Sequence, residues 1–326
     1  VINVKERMEK DNLSAREALI KILDEKDHLM NGINIVLKAV PSKTTMPILE
    51  CILIDAVSDE IKLTGNDMEL GIETKVEGSI LERGKIALEA KLFYEIIRKL
   101  PDGETPVVIT SDNRFNTIIE CENAVFNIQG RDGEEFSYLP YIERDQHISL
   151  TQFTLKEAIR QTIFSISPND SNKMMAGELL EVKDDFLKVV SLDGHRISIR
   201  NIQLKKHYDN HKVIVPGKTL SEISKILTGD NEKEVLIYFS KNHILFEFDD
   251  TVVVSRLIDG EYFKIDHMLS SDYETRVKLN KRDFMDNIDR AMILIRDSDR
   301  KPIIMNVEDN NVNMKVKSAF VPLFLQ

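Results

Sequence analysis

The sequence predicts an α+β protein built from tandem copies of one module that runs helix, strands, helix, strands. Two copies are complete and one is partial. Three observations carry this reading. Residues 85–100 (KIALEAKLFYEIIRKL) superpose on residues 212–227 (KVIVPGKTLSEISKIL) at a constant offset of 127, placing Lys91 on Lys218, Glu95 on Glu222 and Leu100 on Leu227. The same offset carries Phe126 onto Val253 and Asp132-Gly133-Glu134 onto Asp259-Gly260-Glu261. A helical apolar pattern, Leu29, Ile33, Val36, Leu37 and Val40, recurs as Leu155, Ile159, Thr162, Ile163 and Ile166, and again as Phe284, Ile288, Ala291, Met292 and Ile295.

Taken in chain order, the periodicity predicts helices over 29–41, 91–100, 155–164, 218–227 and 281–295. Alternating apolar residues predict strands in VVITSDNRFNTIIEC (107–121) and in its counterpart VLIYFSKNHILFEF (235–248). Asp193-Gly194 lies between the alternating runs FLKVVSL and RISIR and reads as a hairpin turn, with Gly65-Asn66-Asp67 at nearly the same place in the first copy. The polar stretches YIERDQH (141–147) and SSDYET (270–275) read as linkers. The expected division is an extension over 1–18, then modules over 19–145, 146–268 and 269–326. The last module lacks the second helix and final strands of the other copies, roughly sixty residues.

Composition bounds the function. A chain of 326 residues suits two domains or three small ones. Acidic residues number 55 against 44 basic, and a net charge of −11 argues against a protein that coats nucleic acid over its whole surface. With 42% hydrophobic and 30% charged residues, the chain is neither disordered, collagenous nor a disulfide scaffold. Cys51 and Cys121 read as buried reduced thiols. No apolar run approaches the roughly 18 residues of a membrane span, and VINVKERMEKDN is too charged for a secretory signal. A soluble, cytoplasmic protein with no membrane partner is expected.

Charge is unevenly placed. The five predicted helices hold Lys38, Lys91, Arg98, Lys99, Lys156, Arg160, Lys218, Lys225, Lys281, Arg282 and Arg290 against Glu95, Glu157, Glu222, Asp283, Asp286 and Asp289. They therefore carry +5 and the remainder of the chain −16. An amphipathic helix commonly has a solvated charged face, but equivalent cations in successive copies suit a surface that attracts phosphate.

Catalytic signatures are absent: there is no nucleophile elbow, Walker loop, HExxH or dinucleotide glycine pattern. Asp193 and His195 have the spacing of an oriented imidazole, yet the turn reading of that string is stronger. His207 and His211 have i,i+4 spacing in a polar stretch between strands, a weak metal signal. His243 and His267 stand alone. No metal or cofactor is expected.

The strings VPSKTTMPIL (40–49), LTGNDMEL (63–70), SLDGHRISI (191–199), VIVPGKTLSEI (213–223) and SRLIDGEY (255–262) resemble the bacterial DNA polymerase III beta subunits, the sliding clamps, over about residues 27–318. The resemblance implies repeated clamp domains in a head-to-tail homodimeric ring, with helices on the inner face lining the hole and antiparallel sheets on the outer face. Such a ring encircles duplex DNA without reading sequence, confers processivity on the replicative polymerase and does no chemistry. By resemblance, loop contacts to DNA fall on Lys43, Asn169 and Lys173, joining the helix cations Lys91, Arg98, Lys99, Arg160, Lys218, Lys225, Arg282 and Arg290. A groove for short peptides of polymerase, clamp loader and repair proteins falls on Met175, Leu192, Gly194, His195, Arg196, Ile197, Phe263, His267 and Met268, with Phe263 in place of the usual proline. The subunit interface falls on Lys91, Phe126 and Ile128 on one side and Ile293 and Leu294 on the other. The short third module implies impaired dimer closure and partner binding. Near the start, Ser14-Ala15-Arg16-Glu17 is a capping box favouring a helix through Leu23. The family instead places a short strand near Ile20-Lys21-Ile22, where Asp24 would point inward. Both readings stand at this point, as do an enzyme using Asp193 and His195 and a repeat scaffold that binds only proteins.

Overall fold

A computed structural model describes residues 18–103, 105–167, 172–269, 272–293, 295, 301–309, 311–317 and 322–325. The chain divides into two compact units, with the break between Tyr262 and Phe263. The architecture is the expected α+β repeat, and the strand pairs are antiparallel.

In the first unit the ambiguity at the start resolves to a strand, β1 (Ala18–Asp24). Residues 14–17, which hold the capping box, lie outside the described residues. β1 sits between β5 (Ser79–Glu82) and β7 (Val107–Asp112) in a five-stranded sheet continued by β8 (Asn116–Cys121) and β9 (Ala124–Gln129). Ladders on both sides, together with full burial of Ile20 and Ile22, outweigh a local helix preference. Asp24 does point inward and is buried.

A nine-stranded sheet runs through both copies. From the first come β10 (Arg131–Asp132), β6 (Lys85–Glu89), β2 (Cys51–Asp55), β3 (Ile61–Asn66) and β4 (Leu70–Val76). From the second come β16 (Thr251–Arg256), β15 (His243–Phe248), β14 (Glu234–Phe239) and β11 (His147–Thr151). β12 (Gly177–Leu192) and β13 (Ile197–Pro216) form a long hairpin.

Register shows the repeat directly. Cys51 pairs with Glu89 and Asn66 with Gly71; 126 or 127 residues on, Gly177 pairs with Pro216 and Leu192 with Ile197. Ile119 pairs with Phe126 as Phe246 pairs with Val253. The second copy fuses into two long strands what the first divides among β2, β3, β4, β5 and β6. Register shifts around Asp184, at φ +54°, mark the place where the first copy turns.

Helices α1 (Lys26–Val36), α2 (Ala90–Lys99), α3 (Gln152–Thr162) and α4 (Gly217–Ile226) pack in pairs, α1 on α2 and α3 on α4. α1 and α3 start three residues earlier than periodicity suggests. Capping side chains set two of the helix starts. The Glu89 carboxylate accepts from Lys91 N and Leu92 N at 3.1 and 2.8 Å, and Thr151 Oγ1 accepts from Thr154 N at 3.1 Å. Leu29, Ile33 and Val36 of α1, Phe93 and Ile97 of α2, Leu155 and Ile159 of α3, and Leu220 and Ile223 of α4 are buried in one continuous core.

The second unit holds α5 (Lys281–Met292), capped by Asn280, and a three-stranded sheet of β17 (Ile303–Glu308), β18 (Asn311–Lys317) and β19 (Pro322–Leu325).

Candidate nucleic-acid interface and partner groove

Helices present the basic residues because each buries its apolar stripe in the core and leaves the opposite face to solvent. Lys91, Arg98 and Lys99 of α2, Arg160 of α3, Lys218 and Lys225 of α4 and, in the second unit, Arg282 and Arg290 of α5 are all exposed. Lys43 is exposed in the bend after α1, and Lys173 is exposed at the start of a 3-10 turn, Lys173–Ala176. Asn169 lies outside the described residues.

Half of these cations are already engaged. Arg98 Nη2 reaches Glu95 Oε2 at 2.5 Å, Arg160 Nε reaches Glu157 Oε1 at 2.7 Å, and Lys225 Nζ reaches Glu222 Oε1 at 2.7 Å. Lys218 pairs with Asp67, and in α5 Arg290 donates to the neutral Asn287 amide oxygen at 2.9 Å. The Arg160 guanidinium holds the Glu157 carboxyl below the usual carboxylate range, and the Glu95 carboxylate pushes Arg98 upward. Among the described residues Lys91 and Lys99 have no ion-pair partner.

Two further lysines have a different role, which the sequence alone did not reveal. Lys26 Nζ donates to Leu100 O at 2.6 Å and Lys156 Nζ donates to Leu227 O at 2.7 Å. Each satisfies a carbonyl at the C-terminus of the second helix of its copy, where cations are favoured. Leu100 and Leu227 are repeat equivalents; the two lysines are not. Lys156, counted among the helix cations, is thereby committed to packing.

The Asp193–Arg196 string forms the turn between β12 and β13. Gly194 has φ +84°, and the Asp193 carboxylate accepts from His195 N (3.1 Å), Arg196 N (3.2 Å) and Arg196 Nε (2.9 Å). These donors hold the Asp193 pKa low. The carboxylate thus holds the main chain of His195, with no hydrogen bond to its imidazole among the described residues. That removes the geometry an Asp–His dyad would need. Copy one repeats the turn: Asp67 Oδ1 accepts from Glu69 N and Leu70 N, and Met68 takes φ +75°.

Leu192, Gly194, His195, Arg196 and Ile197 belong to this turn and its flanking strands, and Met175 lies in the 3-10 turn Lys173–Ala176. Ser167 N donates to Met175 O at 2.7 Å and the Ser165 and Ser198 hydroxyls meet at 2.6 Å, tying the end of α3 to both the 3-10 turn and β13. Leu192 is buried, Met175 and Ile197 are half-buried, and Gly194, His195 and Arg196 are exposed. Phe164 joins them: its ring is 55% exposed and lies 5.6 Å from the Arg196 guanidinium. No local signal marks it, because Phe164 continues the apolar end of α3. In the second unit Phe263 is half-buried, and His267 and Met268 are exposed at the 3-10 turn Ile265–His267.

Behind the turn lies a buried polar cluster. Glu178 is fully buried; its Oε2 is 3.1 Å from Thr162 Oγ1, and its Oε1 has no partner among the described residues. Burial pushes this carboxyl up to about 8, so it is chiefly protonated at neutral pH. Ser191 donates to Thr162 O at 2.6 Å and Tyr262 to Val190 O at 3.3 Å.

Among the described residues β9 is one edge of its five-stranded sheet. Phe126 and Ile128 pack partly against the core, while Val125 on the opposite face is exposed. Ile293 is exposed in the second unit, and Leu294 lies outside the described residues. His211 stacks on Phe239 at 4.5 Å and His207 is exposed; among the described residues no group of three or more His, Cys, Asp or Glu could hold a metal ion. Cys51 and Cys121 are buried free thiols. No described helix is long and apolar enough to cross a membrane.

Comparison with known proteins bears on this arrangement. Residues 20–140 match the DNA polymerase III beta subunit N-terminal domain, and residues 149–264 match its central domain. A beta sliding clamp of Staphylococcus epidermidis is 34% identical over 302 residues, spanning 90% of this chain and 79% of that protein. A crystal structure of a putative DNA polymerase III beta subunit from Eubacterium rectale is 59% identical at a TM-score of 0.91, covering 94% of this chain and 83% of that one. The DNA polymerase sliding clamp of Bacillus subtilis is 32% identical at a TM-score of 0.89, with the same coverage.

Proposed function

The chain belongs to the bacterial DNA polymerase III beta-subunit family, the sliding clamps, and from that premise we propose that it acts as a head-to-tail ring around duplex DNA. Its role is that of a DNA polymerase sliding clamp. The finer reading is that the exposed cations of the helices and of Lys43 and Lys173 face phosphate, giving contacts that carry no sequence information. Three clamp domains divided near 145 and 268 build each protomer. The protein holds its polymerase, clamp loader and repair partners through peptides laid on Met175, Leu192 and the 194–197 turn, and the family resemblance assigns Phe263, His267 and Met268 of the second unit to peptide contact as well.

One observation carries the ring. Inside the chain, β16 of the second copy pairs with β4 of the first, Val253 opposite Ile72. β9, the repeat equivalent of β16, is a sheet edge with no strand beyond it among the described residues. A strand equivalent to β4 from a second protomer's third domain would extend β9 as β4 extends β16, and repetition of that seam closes a ring. Phe126 and Ile128 would then sit where Val253 and Ser255 sit in the internal seam.

Loading on nicked circular plasmid tests this. The ring predicts retention on the circle and release when the plasmid is linearised. Retention on linear DNA indicates ordinary binding, and no retention on either form rejects a DNA partner.

A further inference from the structure

Three helices repeat one local motif. Glu95-x-x-Arg98 in α2, Glu157-x-x-Arg160 in α3 and Glu222-x-x-Lys225 in α4 each place a carboxylate one turn before an exposed cation, and each closes as an ion pair at 2.5 to 2.7 Å. The α2 and α4 pairs are repeat equivalents at offset 127. Such a pair is favourably oriented along a helix, yet exposed pairs of this kind are weak and exchange readily. A cation held this way remains available to phosphate, but the phosphate must displace or share a carboxylate.

We propose that Glu95, Glu157 and Glu222 are internal competitors for DNA phosphate that keep each contact of the helix surface weak and exchangeable. A ring that must translate along a duplex gains from this. Topology supplies retention, so strong phosphate contacts would only add friction, and a carboxylate returning to each guanidinium or ammonium lowers the barrier to leaving a phosphate. Lys91 and Lys99, which lack such partners among the described residues, supply the steadier attraction. The inference rests on the proposed DNA-facing role of these helices.

The test compares three forms of the full chain by fluorescence anisotropy on a linear duplex, across salt concentrations. The forms are wild type, the triple variant E95Q/E157Q/E222Q, and a control triple E135Q/E143Q/E232Q. The control removes three exposed or linker carboxylates, changing net charge equally without touching the helix motif. Circular dichroism confirms folding of each. The expected result is binding about tenfold tighter for the helix triple with a steeper salt dependence, and less than threefold change for the control. Equal tightening by both triples would overturn the proposal, because net charge alone would then explain it. Measurable wild-type binding left unchanged by the helix triple would also overturn it while sparing the DNA-facing reading. Absence of salt-sensitive binding in wild type would remove that reading itself, and the proposal with it.

Discussion

The two complete copies share a ladder and differ at what the ladder meets. Residues 51–89 and 177–216 keep the same pairing at offsets of 126 and 127, and their helix pairs bury the same stripes. Yet β16 is covered by β4 while β9 is an edge. Each copy buries one acid at a place of its own, Asp24 near His28 in the first and Glu178 against Thr162 in the second, and the two are not repeat equivalents. The first turns through Met68 where the second uses Gly194. Duplication thus preserved backbone pairing, which is cooperative across many residues. Side-chain chemistry at the junctions, where a single residue suffices, diverged.

The covered and open edges give the largest contrast. Val253 is fully buried in the seam, so Val253→Asp places an unpaired charge there and should cost more than about 4 kcal/mol. Phe126→Asp, at the equivalent but half-buried position, should cost roughly 1 to 3 kcal/mol while abolishing self-association. Urea unfolding and sedimentation would separate the two effects. Similar destabilisation in both variants would show that β9 is structurally closed and would remove the argument for a strand-extended ring.

The buried acids sharpen the comparison through pH. In an unfolded chain Glu178 releases its proton near 4.5, whereas in the fold it does so at about 8. Between those values the native state binds a proton that the unfolded state lacks, so rising pH favours unfolding. The associated stability is fully present below pH 4.5 and is lost progressively toward pH 8, at up to about 1.4 kcal/mol per pH unit. Glu178→Gln should flatten that part of the profile. Asp24, raised by burial from 3.8 to about 6, has the same sign over a lower window, so Asp24→Asn should act between about pH 4 and 6. Urea midpoints from pH 4 to 9 would show the Asp24→Asn effect levelling off by about pH 6 and the Glu178→Gln effect continuing to about pH 8; effects that end at the same pH would refute the distinction.

Much of this was legible in the sequence, and the gaps have physical reasons. The offset of 127, the helix stripes and the Asp-Gly turn were readable because period and turn chemistry are local. Pairing within α2, α3 and α4 was also visible as Glu-x-x-Arg or Glu-x-x-Lys, although net charge alone counted those cations as available. The capping box at Ser14 misdirected, since it speaks only for local preference and cannot weigh the two ladders that claim residues 18–24. Lys156 read as a surface cation because its acceptor, Leu227 O, is 71 residues away. Phe164 and Glu178 gave no signal, since exposure of the one and burial of the other depend on the long hairpin folding back.

The two turns give the smallest and cleanest contrast. Both close with an aspartate accepting backbone N–H groups, and both place the next residue at positive φ, 75° for Met68 and 84° for Gly194. A side chain there costs roughly 1 kcal/mol in an L-residue, and none in glycine. Met68→Gly should therefore stabilise by a few tenths to about 1 kcal/mol, since relief of strain exceeds the added freedom of the unfolded chain and the Met68 side chain is 55% exposed. Gly194→Ala should destabilise by about 1 kcal/mol, with no steric clash, because nothing lies within 4 Å of the added Cβ. Opposite signs in thermal melts would show that Asp67 and Asn66, whose Oδ1 accepts from Met68 N at 2.8 Å, hold the first turn in a shape its central residue resists. If Met68→Gly destabilises instead, the methionine side chain contributes packing that outweighs its strained backbone, and the two turns are alike in geometry but not in what stabilises them.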